Sequence, residues 1–132
     1  MSDHSERTTD TPDLMGTAWR LETYGPAGAP VAAPNGAEAM VTFGDDGRVT
    51  GDTGCNRFFG PYQIEGDEIV FGALGATRKA CIGEERQRQE GALLAALRGD
   101  VRYELADDTL RLFAANDAVL TLASTPLEDD EG

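Results

Sequence analysis

Residues 51–81 read GDTGCNRFFGPYQIEGDEIVFGALGATRKAC, and this stretch decides the fold. Apolar residues alternate with their neighbours in two runs, FFGPYQI and EIVFG, on either side of residues 65–67. A period of two places one face of a strand on a core and the other face toward solvent. Because Glu65-Gly66-Asp67 is a typical turn sequence, the segment predicts an antiparallel hairpin.

The same pattern of short runs and turn residues recurs on both sides of this segment. AMVTF and RVTG flank residues 44–47, VRYEL and TLRLF flank residues 107–108, and TLRLF and VLTL flank residues 116–117. The Asp, Asn and Gly residues between these runs suit tight hairpin turns. An earlier run, TAWRLETY, predicts another strand. Residues 25–36, rich in Gly, Ala and Pro, predict a loop without a strand.

One segment departs from the strand pattern. Residues 84–98, EERQRQEGALLAALR, begin with acidic residues and end at Arg98 before Gly99, which predicts a helix with a glycine cap. Leu93, Leu94 and Leu97 form its apolar stripe, so only its C-terminal half is expected to dock firmly. With roughly eight or nine strands, the fold class is α+β, mostly β: an antiparallel meander curved into a partly closed barrel with one helix.

Charge and hydropathy set the domain limits and exclude some partners. The chain has 132 residues and a formal net charge of −13. Polar, acidic residues without periodicity predict disordered tails at 1–13 and 124–132, around one domain of residues 14–123. A negative chain repels phosphate backbones, which excludes nucleic acid as a partner. With no secretory signal, long apolar run or lipid-attachment cysteine near the start, we predict no membrane insertion and a cytoplasmic location.

Residues for common catalytic chemistry are scarce. The single histidine, His4, lies in a predicted tail, so a Ser-His-Asp or Cys-His site has no base. The two cysteines do not form the closely spaced clusters that bind zinc. Paired aspartates such as Asp45-Asp46 lie at predicted hairpin tips and lack the spacing of a calcium loop. We therefore predict no enzymatic activity, catalytic residue, metal or cofactor.

The cysteines, Cys55 and Cys81, leave three interpretations open. Two reduced, partly buried thiols are favoured in a cytoplasmic protein. A structural disulfide between Cys55 and Cys81 is the second interpretation. A redox-sensing thiol, activated by Arg57, Arg78 or Lys79, is the third.

Residues 54–62, GCNRFFGPY, followed by residues 77–81, TRKAC, resemble the GCNxxxGxY and T-x-x-A-C patterns of the META domain (HslJ-like) family. Trp19 with Leu21 resembles the family's opening strand, residues 43–51 its first hairpin, and Glu90 with the following leucines its helix. The resemblance covers about residues 16–123. Lys79 departs from the pattern, because family members commonly have Met there.

The resemblance implies a β fold, links to heat shock and envelope stress, and no agreed enzymatic activity. The leading hypothesis is a non-enzymatic, stress-associated accessory or binding module for an unknown small apolar ligand or protein partner. The alternative is a thiol-based redox-responsive protein that uses Cys55 and Cys81. Many relatives are exported, which differs from the cytoplasmic location predicted for this chain.

Two interpretations compete for the residues of the 51–81 segment. In the architectural one, Gly51, Gly54 and Gly60 meet backbone requirements, while Asn56 and Tyr62 bond to neighbouring backbone. In the binding one, five residues rim a binding surface and three aromatic rings border a cavity for an apolar ligand. The five are Trp19, Asn56, Arg57, Phe58 and Tyr62; the rings are those of Trp19, Phe58 and Tyr62.

Overall fold

The computed structural model describes residues 14–26, 28–33, 38–80, 82–114 and 118–125. These residues form ten strands and one helix, α1 (Glu84–Ala96), which lies between β7 and β8. The strands are β1 (Ala18–Tyr24), β2 (Val31–Ala32), β3 (Met40–Phe43), β4 (Arg48–Asp52), β5 (Arg57–Glu65), β6 (Glu68–Phe71), β7 (Gly75–Ala76), β8 (Gly99–Ala106), β9 (Thr109–Phe113) and β10 (Val119–Thr125).

Eight of these strands form a closed antiparallel barrel. They follow one another in the order β1, β3, β4, β5, β6, β8, β9 and β10, and β10 then pairs with β1. Closure gives each of them a neighbour on both sides, so the wall contains no edge strand. The mostly β, antiparallel architecture is confirmed, and the barrel is closed rather than partly closed.

The predicted loop at residues 25–36 contains a short strand, which the sequence interpretation missed. Strand β2 pairs with the second half of β1, with Val31 opposite Tyr24. The reason is local: β3 pairs with β1 only as far as Arg20 opposite Met40. Beyond that point β1 has an unpaired side, and β2 provides its hydrogen-bonding partner.

The two ends of the described domain lie side by side. Ala18 pairs with Thr125 and Trp19 with Ser124, and the Thr125 hydroxyl donates to the Ala18 carbonyl at 3.0 Å. The domain therefore continues through residue 125 rather than ending at 123, because β10 needs these residues to pair with β1. The predicted tail residues 1–13 and 126–132 lie outside the described residues.

The hairpins β3–β4, β5–β6 and β8–β9 are all confirmed. Since neighbouring strands are antiparallel, the three turns lie at one end of the barrel, together with Ala18 and Thr125. We call this the hairpin end. The predicted turn at residues 116–117 is outside the described residues, although β9 and β10 pair as expected. The turns at the hairpin end carry five aspartates: Asp45, Asp46, Asp67, Asp107 and Asp108.

Side chains fill the barrel interior. Alternate residues of each strand point inward, as Phe58 and Tyr62 do on β5. An eight-stranded barrel is just wide enough for its own side chains, and burying each large apolar one contributes about 1.5–3 kcal/mol. The largest fully buried barrel side chains include Trp19, Phe43, Phe58, Ile69, Leu110, Leu112, Leu120 and Leu122.

Helix α1 packs at the opposite end of the barrel, which we call the helix end. Leu93 and Leu97 are fully buried in the same core as the strand residues, as expected for the C-terminal half of the helix. Gln89 is also buried, and its Nε2 donates to the Thr53 carbonyl at 2.8 Å. The helix ends at Ala96, slightly earlier than predicted. Among the described residues, no helix has the length and apolar character needed to cross a membrane.

Candidate functional site

The structure does not place the five predicted site residues on one surface. Trp19 and Phe58 are fully buried, and Tyr62 and Asn56 are only 5% and 3% exposed. Arg57 alone is exposed. The reason is the alternation of β5, which turns Phe58 and Tyr62 into the core and Arg57 outward. Of the three rings expected to border a cavity, only Phe58 lines a surface depression described below.

Asn56 joins three segments at the helix end. Its Nδ2 donates to the Lys79 carbonyl at 3.2 Å and to Glu90 Oε2 of α1 at 2.9 Å. Its Oδ1 accepts from the Thr77 hydroxyl at 2.9 Å and from the Lys79 backbone N–H at 2.6 Å. We call these four residues the Asn56 network. It connects the β4–β5 turn, the segment after β7 and the helix, which confirms the architectural interpretation of Asn56.

The β4–β5 turn that carries Asn56 is closed by its own side chains. The Thr53 hydroxyl accepts the Asn56 N–H at 2.8 Å, and Asp52 Oδ1 accepts the Gly54 N–H at 2.8 Å. Gly54 has a φ of 94°, a conformation that favours glycine. The turn is therefore preformed locally, and Asn56 presents its amide to the neighbouring segments.

Cys55, beside Asn56 in this turn, is disulfide-bonded. The expected reduced state is therefore wrong at Cys55. The chain's other cysteine, Cys81, lies outside the described residues. Cys55 lies against the segment after β7: its Sγ is 3.7 Å from the Lys79 carbonyl oxygen, which the Asn56 network holds in place. Within the described part of the chain, nothing supports the redox hypothesis.

Two glycines of the segment allow backbones and rings to approach closely. A Cβ on Gly51 would lie 2.2 Å from the Met40 carbonyl oxygen and 2.4 Å from the Phe58 ring. A Cβ on Gly60 would lie 2.4 Å from the Leu74 side chain. Such distances leave no room for any side chain. The predicted need for glycine at both positions is confirmed.

Tyr62 anchors the β3–β4 turn at the hairpin end. Its hydroxyl donates to the Gly44 carbonyl at 2.5 Å, and its ring packs edge-on against Phe43 with centroids 5.2 Å apart. Burial, followed by the nearby Asp46 and Asp45 carboxylates, raises the pKa of Tyr62 above its ordinary value. Tyr62 is thus an architectural residue, as one of the two interpretations predicted.

Tyr62→Phe is expected to lower the free energy of unfolding by about 1 kcal/mol at neutral pH. It is also expected to reduce the further decrease in unfolding free energy that the wild type shows as the pH rises above neutral. Above the ordinary tyrosine pKa of 10.0, the unfolded chain ionises at this residue while the folded chain does not. Tyr62 therefore contributes stability that is present below that pH and falls as the pH rises toward the folded value. Urea unfolding from neutral pH to about pH 11 measures this. The prediction is contradicted if wild type and variant lose the same amount of unfolding free energy over this pH range.

The described residues contain no cluster of His, Cys, Asp and Glu suited to hold a metal ion. The aspartates at the hairpin tips serve their turns: Asp46 Oδ1 accepts the Arg48 N–H at 3.1 Å. Asp107 has a φ of 55°, which Asp tolerates better than most residues. These contacts agree with the turn interpretation of the paired aspartates.

An exposed aromatic ring lies on the outward face of β5. Phe59 is 44% exposed, and its ring lies over Gly75 of β7, where a Cβ would come within 2.9 Å of it. A depression of about 420 Å³ adjoins the ring. Its lining includes five residues that we call the Phe59 patch: Met40, Thr50, Asp52, Arg57 and Phe59.

Phe59 was not among the predicted site residues, although the sequence contains a signal for it. Phe58 and Phe59 are adjacent on a strand, and adjacent strand residues point to opposite faces. One ring of the pair therefore has to face outward. The alternation of β5 gives the inward position to Phe58, and the outward ring is the one available to a partner.

Three comparisons place the chain among known proteins. The sequence pattern of the META domain family matches residues 12–126. No functionally curated protein matches the chain. An NMR structure of a protein from Burkholderia xenovorans is 30% identical, with a TM-score of 0.70 over 85% of this chain and 83% of that one. A crystal structure of a duf4847 family protein from Bacteroides vulgatus is 16% identical, with a TM-score of 0.56 over 83% and 93%, which shows a shared fold.

Proposed function

We propose that this chain, which belongs to the META domain family, is a non-enzymatic accessory module that binds a protein partner through the Phe59 patch. The observation that carries the proposal is the exposed Phe59 ring beside a depression on the outside of the barrel.

A partner on the outside is favoured over a small apolar ligand inside. Trp19 and Phe58, which were expected to border an inner cavity, are fully buried among the other core side chains. A ligand between them would have to displace these buried side chains. The outer depression needs no such rearrangement.

The composition of the Phe59 patch suits a protein interface. Aromatic residues, Met and Arg are enriched in such interfaces, and the patch combines Phe59 with Met40 and Arg57. Phe59 has an exposed ring at its edge, so its contact with a partner removes apolar surface from water. Residues of this kind provide most of the binding energy when they lie near the centre of an interface.

The patch is held rigid before binding. The Arg57 N–H donates to the Thr77 hydroxyl at 2.9 Å, and the Thr77 N–H donates to the Arg57 carbonyl at 2.9 Å. Phe59 pairs with Thr50 on one side and Gly75 on the other. Little conformational entropy is therefore lost in ordering the patch when a partner binds.

Affinity capture tests this proposal with a matched control. Purified protein is immobilised and exposed to extracts of the native organism, grown with and without heat or envelope stress, because the stress association rests on the family resemblance. We expect Phe59→Ser to reduce the recovery of at least one partner about tenfold. Gln63→Ser, an exposed position on the same strand and face, is expected to retain it.

The readout is quantitative mass spectrometry of the captured proteins. Gln63 is exposed, whereas the half-buried Phe59 ring also packs over Gly75, so thermal unfolding of each variant checks that the fold is retained. If wild type, Phe59→Ser and Gln63→Ser capture the same proteins in equal amounts, binding through the Phe59 patch is excluded.

A further inference from the structure

We propose that the partner contacts the Phe59 patch with an acidic segment that places an apolar side chain on the Phe59 ring and a carboxylate on Arg57. This inference rests on the proposed function and names the chemistry of the partner. It follows from the charges around the patch rather than from the charge of the whole chain.

Arg57 lies beside a second exposed arginine, Arg78. Arg57 and Arg78 are exposed, and neither makes an ion pair or a side-chain hydrogen bond within the described ranges. The two arginines lie close together, because Arg57 exchanges backbone hydrogen bonds with Thr77, the residue before Arg78.

Asp52 lies opposite Arg57 in the strand register. Whether Asp52 pairs with the Arg57 guanidinium therefore decides if that group is available to a partner. Asp52 Oδ1 accepts the Gly54 N–H at 2.8 Å, and no contact of 4.0 Å or less joins Asp52 to Arg57. Asp52 therefore serves the β4–β5 turn, and the Arg57 guanidinium is available to an external carboxylate. Such a pair is planar and bidentate, which gives it directional specificity.

The apolar part of the segment is set by Phe59 and Met40. The depression beside them, about 420 Å³, has space for a small number of side chains and is open to solvent. Since Arg57 and Phe59 are alternate residues of β5, both point outward. A segment with a large apolar residue next to a carboxylate contacts both at once. A uniformly acidic or uniformly apolar segment contacts only one of them.

Three synthetic peptides test this proposal. Each has an acetylated N-terminus, an amidated C-terminus and a central Leu with two identical residues on either side. These flanking residues are Glu in the acidic peptide, Gln in the second and Lys in the third. The probe is the acidic peptide, titrated into the ¹⁵N-labelled full-length protein. We expect amide shifts at Met40, Thr50, Arg57 and Phe59, and an affinity at least about tenfold higher than that of the Gln peptide. Because the chain carries −13, non-specific attraction favours the Lys peptide, so preference for the acidic one reports a local site.

Arg57→Gln is expected to weaken the acidic peptide about tenfold and to leave the Gln peptide unchanged. Arg48→Gln is the matched control, because Arg48 is an exposed arginine on the outward face of β4 at the hairpin end. It is expected to change the affinity less than about twofold. Added salt should weaken the acidic peptide in wild type, since the contact is between exposed charges.

Several results would overturn the proposal: no binding of the acidic peptide, equal or tighter binding of the Gln or Lys peptide, or an equal loss in Arg48→Gln. These results are distinguishable from failure of the proposed function. If Phe59→Ser still abolishes capture of a partner from extracts, binding through the patch stands and only the acidic chemistry is wrong. If Phe59→Ser changes neither capture nor peptide affinity, both are wrong.

Discussion

Asn56→Ala is expected to lower the free energy of unfolding by about 3 kcal/mol or more. The substitution removes the four hydrogen bonds of the Asn56 network, made to Thr77, Lys79 and Glu90 at 2.6–3.2 Å. Each bond contributes about 0.5–1.5 kcal/mol, and a bond to a charged group such as the Glu90 carboxylate contributes more. For a domain whose total stability is typically about 5–15 kcal/mol, this is a large fraction.

Urea unfolding followed by fluorescence of the buried Trp19 measures the change. Gln63→Ala is the control, because Gln63 is an exposed polar residue on the same strand and is expected to change stability by less than about 0.5 kcal/mol. Hydrogen exchange gives a second readout: we expect faster exchange in residues 77–80 and in the first turns of α1. A loss in Asn56→Ala no larger than in Gln63→Ala would show that the network contributes little.

Loss of the disulfide at Cys55 is the second large expected effect. Cys55 is disulfide-bonded and Cys81 is the only other cysteine in the chain, so we propose that these two are joined. Closing a loop of roughly 27 residues contributes about 3–4 kcal/mol in the chain-entropy model. Cys55→Ser or reduction by a dithiol is expected to lower the free energy of unfolding by that amount.

The measurement compares urea unfolding of the oxidised, reduced and Cys55→Ser forms, with intact mass before and after alkylation to confirm the thiol state. Cys81→Ser is expected to match Cys55→Ser; a much smaller loss in either form would exclude the pairing. The oxidation state of Cys55 in cells also tests the predicted cytoplasmic location, since disulfides rarely persist in reducing compartments. Asn56 and Cys55 support the same segment. The variant that combines Asn56→Ala with Cys55→Ser is therefore expected to lose less unfolding free energy than the sum of the two single losses.

Local features of the fold were predictable, and long-range ones were not. The hairpins at residues 44–47, 65–67 and 107–108 were predictable because alternation and turn chemistry act between neighbours in sequence. Closure of the barrel depends on Leu21 opposite Leu122, a pairing that no local pattern specifies. Strand β2 was missed for a related reason: its partner is the unpaired half of β1, which exists only once the barrel has formed.

In the candidate site, too, local contacts were predictable and long-range contacts were not. The sequence indicated that Asn56 bonds to neighbouring backbone, but not that Glu90 of α1 and Thr77 meet it there. Phe58 and Tyr62 were grouped with Arg57 by proximity in sequence, but the structure does not place them on one surface. Strand alternation separates them. The same alternation, applied to Phe58 and Phe59, identifies the outward ring that the first grouping left out.

The hairpin end also concentrates negative charge. Five aspartates lie on its three turns, and the acidic terminal segments of the sequence join the barrel at the same end, at Leu14 and Thr125. Arg57 and Arg78 lie at the opposite end. In the field of a positively charged surface the barrel therefore orients with its turns toward that surface. The Phe59 patch lies on the side wall of the barrel toward the helix end, so its ring and Arg57 stay accessible to a second molecule.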